Sequence, residues 1–375
     1  MKYLFLCHSL NVGGIETYIL RFARWMLKLH PEHQLHIACK SGQFGSYETE
    51  FRKLGIILHS LPMGYLNPIP CFRLYYFLKF NRYDAICDFG GDFGAFPTLV
   101  AYACKIPKRL VFYRSARNAY KPALYKRYFQ HFLNCLVLLF STKILSNSQD
   151  AIDYYFTDYP VDEDRRFHVV RNGVPVIDHL SLVQKEAFRQ ELGVRQGQKI
   201  VLHVGSGRWE KNHACMLQIA KHVQDNGDDI LFCFVGPGVE SAHGAKAKQM
   251  ALKNVNFLGE RRDVDHFLQI ADVFLFPSLS EGQPNALLEA MTNGVPFIAS
   301  DIAPVRESLS PEWGDRWLFD PDNPVQGYLL LQEHLNTDFR CDSQFKALVS
   351  WCHDVYNEDT CFGIFLNSLS TRPMN

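Results

Sequence analysis

SLSEGQPNALLEAMTNGVPFIAS, residues 278–300, directly follows the apolar run DVFLFP (272–277) and ends on a second one, VPFIAS (295–300). Two short apolar runs around one helical pattern read as strand, helix, strand. Pro284 fits the first helical position, where its missing N–H is not needed. The amides of Asn285, Ala286 and Leu287 then point out of the helix start. With the helix dipole behind them they form an anion site. Glu281 and Gly282 lie in the loop before the helix, and Glu289 follows Glu281 by eight residues. A diphosphate suits the amides, and the two carboxylates can accept hydrogen bonds from hydroxyls. A nucleotide-sugar carries both kinds of group. Taken alone, Glu281 and Glu289 read equally well as ordinary acids of a helix's first turns.

Working outward, HVGSGRWEKNH (203–213) also ends a strand and opens a helix. Gly205 and Gly207 permit a tight turn with close backbone approach. Arg208 and Lys211 set two cations at the same carboxyl edge of the sheet. Two cations and a helix start can neutralise a diphosphate without a metal. The alternative is a surface loop with two solvated bases.

The remaining apolar runs fix the architecture. YLFLC (3–7), LHIAC (35–39), GIILH (55–59), YDAIC (83–87), RLVFY (109–113), KILSN (143–147) and FHVVR (167–171) read as strands of a first domain. KIVLHVG (199–205), ILFCFVG (230–236), VNFLG (255–259) and the two runs above read as strands of a second. Helical patterns lie between most of them, so each domain should be a parallel sheet covered by helices on both faces. The expected division is 1–172, a linker at 173–185, 186–357, and a terminal segment at 358–375. Open sheets of this kind take ligands at the carboxyl ends of their strands, here in a cleft between the domains.

The net charge of zero conceals an asymmetry. Residues 1–172 hold 22 Lys+Arg and 13 Asp+Glu, and the remainder holds 17 and 26. Phe93 to Gln149 contains no acid and nine bases, interleaved with Tyr113, Tyr120, Tyr125, Tyr128 and Phe129. Lys121, Lys126 and Arg127 fall at spacings that could share a helix face with those rings. Such a surface suits an anionic membrane or a phosphate-bearing lipid; it also reads as a solvated face balanced by the acidic half. Nucleic acid is not an expected partner, since no nucleic-acid motif accompanies the charge. The 11 cysteines include no CxxC pair, and they read as reduced thiols of a cytoplasmic protein. No signal peptide or spanning helix is expected. DPD (320–322) and DED (162–164) read as solvated turns, so no metal site is expected, and the lone Gly13-Gly14 pair gives NAD little support.

In order along the chain stand Gly13-Gly14-Ile15-Glu16, Arg171-Asn172-Gly173-Val174, G-R-x-x-K-N, FVGPG, NFLGERRDV and E-G-x-P-x-x-L-L-E-A-M-x-x-G-x-P-x-I-A-S. This set resembles the retaining glycosyltransferases of family four. The resemblance implies the GT-B fold, two Rossmann-like α/β domains facing a central cleft, with a C-terminal helix crossing back to the first domain. By matching position it implies that Arg208 and Lys211 bind the donor diphosphate. Glu281 would meet the donor sugar and Glu289 the ribose. Gly13, Gly14 and Gly207 would allow close approach, and Arg261 would lie by the nucleobase. Two departures stand out. The R-x-x-K spacing is shorter than the more usual four-residue gap, and Arg114-Ser115-Ala116-Arg117 follows RLVFY where the family often has a histidine. His8, Glu16, Arg114 and Arg117 are therefore the acceptor-side candidates. The resemblance further implies retention by front-face attack. With no acid pair at the carboxyl edge of a strand, no metal or cofactor is expected; the expected acceptor is a glycan or a lipid-linked one, and the acid-free basic stretch would allow peripheral contact at the inner face of the membrane. A nucleotide-sugar epimerase of the same fold and an inactive sugar-nucleotide-binding protein are the competing readings.

Overall fold

The computed structural model describes residues 1–11, 13–64, 69–114, 124–310, 312–339 and 341–370. They divide into two units, Met1–Gly173 with Glu358 onward, and Val174–Asn357.

The first unit alternates strand and helix: β1 (Lys2–Cys7), α1 (Gly14–Leu29), β2 (Gln34–Cys39), α2 (Glu48–Lys53), β3 (Ile57–Ser60), α3 (Ile69–Asn81), β4 (Ala85–Asp88), α4 (Ala95–Ala103), β5 (Lys108–Tyr113), α5 (Leu124–Phe140), β6 (Lys143–Ser146), α6 (Gln149–Tyr155) and β7 (Phe167–Val169). The seven strands pair in parallel in the order β3-β2-β1-β4-β5-β6-β7. β1 sits centrally, with Phe5 opposite Ile37 on one side and Cys87 on the other. Its apolar run is unbroken because both faces are covered. Tyr3, Phe5 and Cys7 join α1 and α2, while Leu4 and Leu6 join α3 and α4.

The second unit holds α7 (Leu182–Glu191), β8 (Lys199–Val204), α8 (His213–Asp225), β9 (Ile230–Val235), α9 (Val239–Gln249), β10 (Val255–Gly259), α10 (Val264–Ile270), β11 (Val273–Phe276), α11 (Asn285–Thr292), β12 (Phe297–Ser300), α12 (Ala303–Glu307), β13 (Leu318–Phe319), α13 (Pro324–Leu335) and α14 (Ser343–Val355). Its parallel order is β10-β9-β8-β11-β12-β13. β13, two residues long, lay below any apolar run that could be read from the sequence. The segment after Gly173 is packed into this unit. Val174 N–H donates to the Tyr356 carbonyl at 2.9 Å, Leu180 N–H donates to Gln269 Oε1 at 2.6 Å, and Ile177 is buried.

The last helix, α15 (Glu358–Leu369), belongs to the first unit, as the fold class requires. Phe362 and Phe365 are fully buried there, and Phe365 lies 4.7 Å from the Phe22 ring centroid and 5.7 Å from that of Phe5. Among the described residues no helix is long and apolar enough to cross a membrane.

Candidate active site

Strand order reverses direction between β1 and β4 in the first unit and between β8 and β11 in the second. Ligand sites of open α/β sheets sit at the carboxyl ends of strands at such points.

In the second unit, β8 and β11 are hydrogen-bonded neighbours, so the loops leaving their carboxyl ends lie side by side. Lys211 comes from the first loop and Glu281 from the second. Lys211 Nζ donates to Glu281 Oε1 at 2.6 Å, with side-chain exposures of 22% and 11%. The ammonium also stands 5.4 Å above the Phe276 ring. Leu279 N–H donates to the Glu210 carbonyl at 2.8 Å, a second tie between the loops. The turn carrying Lys211 ends at Asn212, whose φ of 53° is left-handed, and α8 begins at the next residue. Arg208 opens that turn and is exposed.

Gly207 has a packing reason. Its N–H donates to the Pro237 carbonyl at 2.9 Å, and a Cβ there would collide with the Gly238 carbonyl. Beneath the loop His203 is fully buried. Its Nδ1 bonds the Leu275 carbonyl at 2.9 Å, so it donates there, and burial holds its pKa down to about 3. His213, held at about 2 by burial, lies edge-on to His203 and stacks on His243 at 4.5 Å. Both imidazoles are neutral supports at neutral pH.

The helix start differs in one detail from expectation. Pro284 is the N-cap, not the first helical residue, and α11 begins at Asn285. Asn285 N–H donates back to the Gln283 carbonyl at 2.9 Å. That leaves the first-turn amides of Ala286 and Leu287, which have no intrahelical acceptor, to serve an anion. Gly282 is partly exposed beside Glu281, and Glu289 lies one turn further along α11. Arg261 is gripped by Asp263 through two hydrogen bonds of 2.8 and 2.6 Å, so its side chain is committed within its own turn.

In the first unit, the edge beyond β1 and β4 collects charge. His8 is exposed after β1, and Gly13 caps α1 with Gly14 exposed as its first residue. Burial raises the Glu16 pKa, against the pull of Arg114 and His8. Arg114 lies 4.0 Å over the Tyr18 ring and 5.0 Å over Phe112. Its Nε and Nη1 are buried without hydrogen-bond partners, and burial lowers its pKa to about 10. Arg117 lies outside the described residues.

Three charged residues there were missed from sequence. Lys40 Nζ donates to both Asp88 oxygens, at 2.7 and 2.9 Å, with exposures of 7% and 1%. Asp92 has its pKa pushed up to about 6 by burial. The signal was available: LHIACK and YDAICD each end an apolar strand on a charge.

Two parallel α/β sheets, each with charged loops at the carboxyl edge of its switch point, are the architecture of a glycosyltransferase of GT-B fold. A family model for glycosyl transferases group 1 matches residues 184–333, and one for glycosyltransferase family 4 matches residues 12–176. The chain belongs to this family. EpsF of Bacillus subtilis (strain 168) is 28% identical over 319 residues, covering 80% of this chain and 79% of its own. The Staphylococcus aureus capsular polysaccharide biosynthesis glycosyltransferase CapH is 25% identical over 311 residues, 80% of this chain and 82% of its own. Among solved structures, HepE of Anabaena in complex with UDP superposes with a TM-score of 0.82 at 16% identity, covering 99% of this chain and 100% of that one. WaaG, a glycosyltransferase involved in lipopolysaccharide biosynthesis, gives 0.75 at 17% identity over 99% of this chain and 100% of its own.

Proposed function

We propose that this enzyme moves a sugar from a nucleoside-diphosphate donor to a lipid-linked acceptor during cell-surface polysaccharide synthesis. Transfer retains the anomeric configuration, needs no metal, and takes place at the inner face of the cell membrane. The observation that carries this reading is the Lys211–Glu281 pair, set beside the amides of Ala286 and Leu287. As the bond from the anomeric carbon to the diphosphate oxygen breaks, negative charge grows on the leaving group. Lys211, Arg208 and the helix start supply the balancing charge where a metal otherwise would. The leaving phosphate oxygen takes the acceptor hydroxyl's proton as the new bond forms on the same face. Glu281 and Glu289 accept from sugar and ribose hydroxyls. Support for the donor class comes from HepE, whose structures hold UDP and UDP-glucose. Support for the acceptor comes from an Escherichia coli relative, 25% identical over 241 residues, named for transfer of galactose onto a GlcNAc-diphosphoundecaprenol.

Thermal denaturation with UDP, GDP, ADP and their sugars, with and without EDTA, tests the reading. A ligand at a hundred times its Kd adds about 2.7 kcal/mol of stability. One nucleotide should raise the melting temperature, and EDTA should leave that rise unchanged. No stabilisation by any nucleotide, or its loss on chelation, would overturn the proposal.

A further inference from the structure

HPEH (30–33) joins the end of α1 to the start of β2. The fixed φ of Pro31 suits the second position of a β-turn. The turn forms: His33 N–H donates to the His30 carbonyl at 3.1 Å, and Gln34 N–H then donates to the Met1 carbonyl at 2.9 Å, setting β2 beside β1. The first and fourth residues of such a turn stand close together. The two imidazoles therefore meet, stacked with centroids 5.5 Å apart and planes 21° apart. Tyr3, fully buried, holds the His33 ring edge-on at 5.3 Å, and Trp25 flanks His30 at 6.2 Å.

Glu32 completes the group. Its Oε1 lies 3.7 Å from His30 Nδ1 and 3.7 Å from His33 Nε2. Neither is a hydrogen bond at that length. The three atoms all lie within 4.8 Å of one another. Ligand atoms around one tetrahedral zinc stand about 3.4 Å apart. Glu32 and His30, at 63% and 31% exposure, have room to close that gap. The carboxyl end of the 16-residue helix α1 adds the negative pole of its dipole, which favours a cation there.

We propose that His30 Nδ1, Glu32 Oε1 and His33 Nε2 bind zinc or a like divalent transition metal, with water in the remaining position. Two imidazole nitrogens and one carboxylate oxygen suit such an ion, whereas magnesium and calcium take oxygen alone. On the other side of its ring, His33 Nδ1 meets the Met1 nitrogen at 3.1 Å, an outer contact of the kind that orients a ligating imidazole. With the ion on Nε2 the ring proton sits on Nδ1, and one proton leaves the Met1–His33 pair. The ion ties α1 to the amino ends of β1 and β2. The six residues of β2, about 20 Å, separate it from the carboxyl edge where Lys40 and Asp88 lie, so it takes no part in sugar transfer. The expectation of no metal site came from the acids of DPD and DED; HPEH offers imidazole as well.

The test is a thermal melt of the full chain, stripped with EDTA, returned to chelator-free buffer and titrated with zinc chloride or magnesium chloride. Zinc at a hundred times its Kd should raise the wild-type melting temperature by about 5 °C or more, and magnesium should not. His30→Ala with Glu32→Gln should bind zinc at least about a hundredfold more weakly in calorimetric titration. Its metal-free melting temperature should be unchanged, since both side chains reach solvent. Glu32→Gln alone, nearly isosteric, should lose most of the zinc response. No shift with zinc, an equal shift with magnesium, or variants that answer zinc like the wild type would overturn the proposal and leave the turn a plain cluster of side chains. The rise given by nucleotide is read separately: chelation lowers the melting temperature of the zinc-loaded chain and leaves the nucleotide rise in place.

Discussion

Lys211 Nζ and Glu281 Oε1 stand 2.6 Å apart although 70 residues separate them in sequence. The pair bridges the two loops that leave β8 and β11, where the strand order of the second sheet reverses. Its effect is to hold a cation in place before any anion arrives. On the proposed reading the donor diphosphate meets an ammonium that the Glu281 carboxylate has already oriented.

The loop beneath depends on the absence of a side chain at Gly207. A methyl there meets the Gly238 carbonyl, which belongs to backbone and cannot swing away. Gly207→Ala should therefore cost about 1–3 kcal/mol, the range of overpacked sites, and weaken nucleotide stabilisation. Thermal melts with and without the preferred nucleotide measure both.

Lys40 and Asp88 form an ion pair shielded from water. Removing one partner strands the other, which costs about 3–5 kcal/mol, whereas an apolar pair of similar volume is often neutral. Lys40→Met should lower the melting temperature sharply, and Lys40→Met with Asp88→Leu should recover most of the loss. Calorimetry of the two variants checks this.

Phe365 packs against Phe5, Phe22, Tyr18, Phe89 and Phe112. Phe365→Ala should cost about 3–5 kcal/mol, and deletion from Glu358 onward should give insoluble protein by uncovering that aromatic core. Solubility and calorimetric melts read the two effects.

Acid should weaken the second unit. His203 and His213 have folded pKa values of about 3 and about 2, both below the ordinary imidazole value of 6.5. Below pH 6.5 the unfolded chain takes up protons that the folded chain refuses, so stability falls as pH drops. From pH 6.5 to 5 each imidazole removes about 2 kcal/mol, at about 1.4 kcal/mol per unit once well below 6.5. His213→Leu removes one titrating group and two buried nitrogens that lack partners. Its melting temperature should fall less steeply between those pH values, as differential scanning calorimetry would show.

The parallel sheets were legible because a strand covered on both faces must be apolar throughout, and YLFLC, ILFCFV and VFLF are. α15 was legible from its apolar spacing together with the family resemblance. The Lys211–Glu281 contact was not: the sequence placed each residue at the same sheet edge, yet a contact across 70 residues depends on which strands are neighbours. β13 escaped because two residues show no period. Lys40 and Asp88 escaped because a charge ending an apolar run reads as solvated until its partner is known. Pro284 slipped by one position because its fixed φ suits a cap as well as a first turn.

The central claim is that the carboxyl edge of the second sheet stabilises the departing diphosphate. Steady-state kinetics of Lys211→Ala, with Arg208→Ala in parallel, tests it most directly. Charge on the leaving group exists mainly in the transition state, so kcat should drop by about a hundredfold or more while the KM for the donor changes little. Near-normal kcat in both variants would contradict the account.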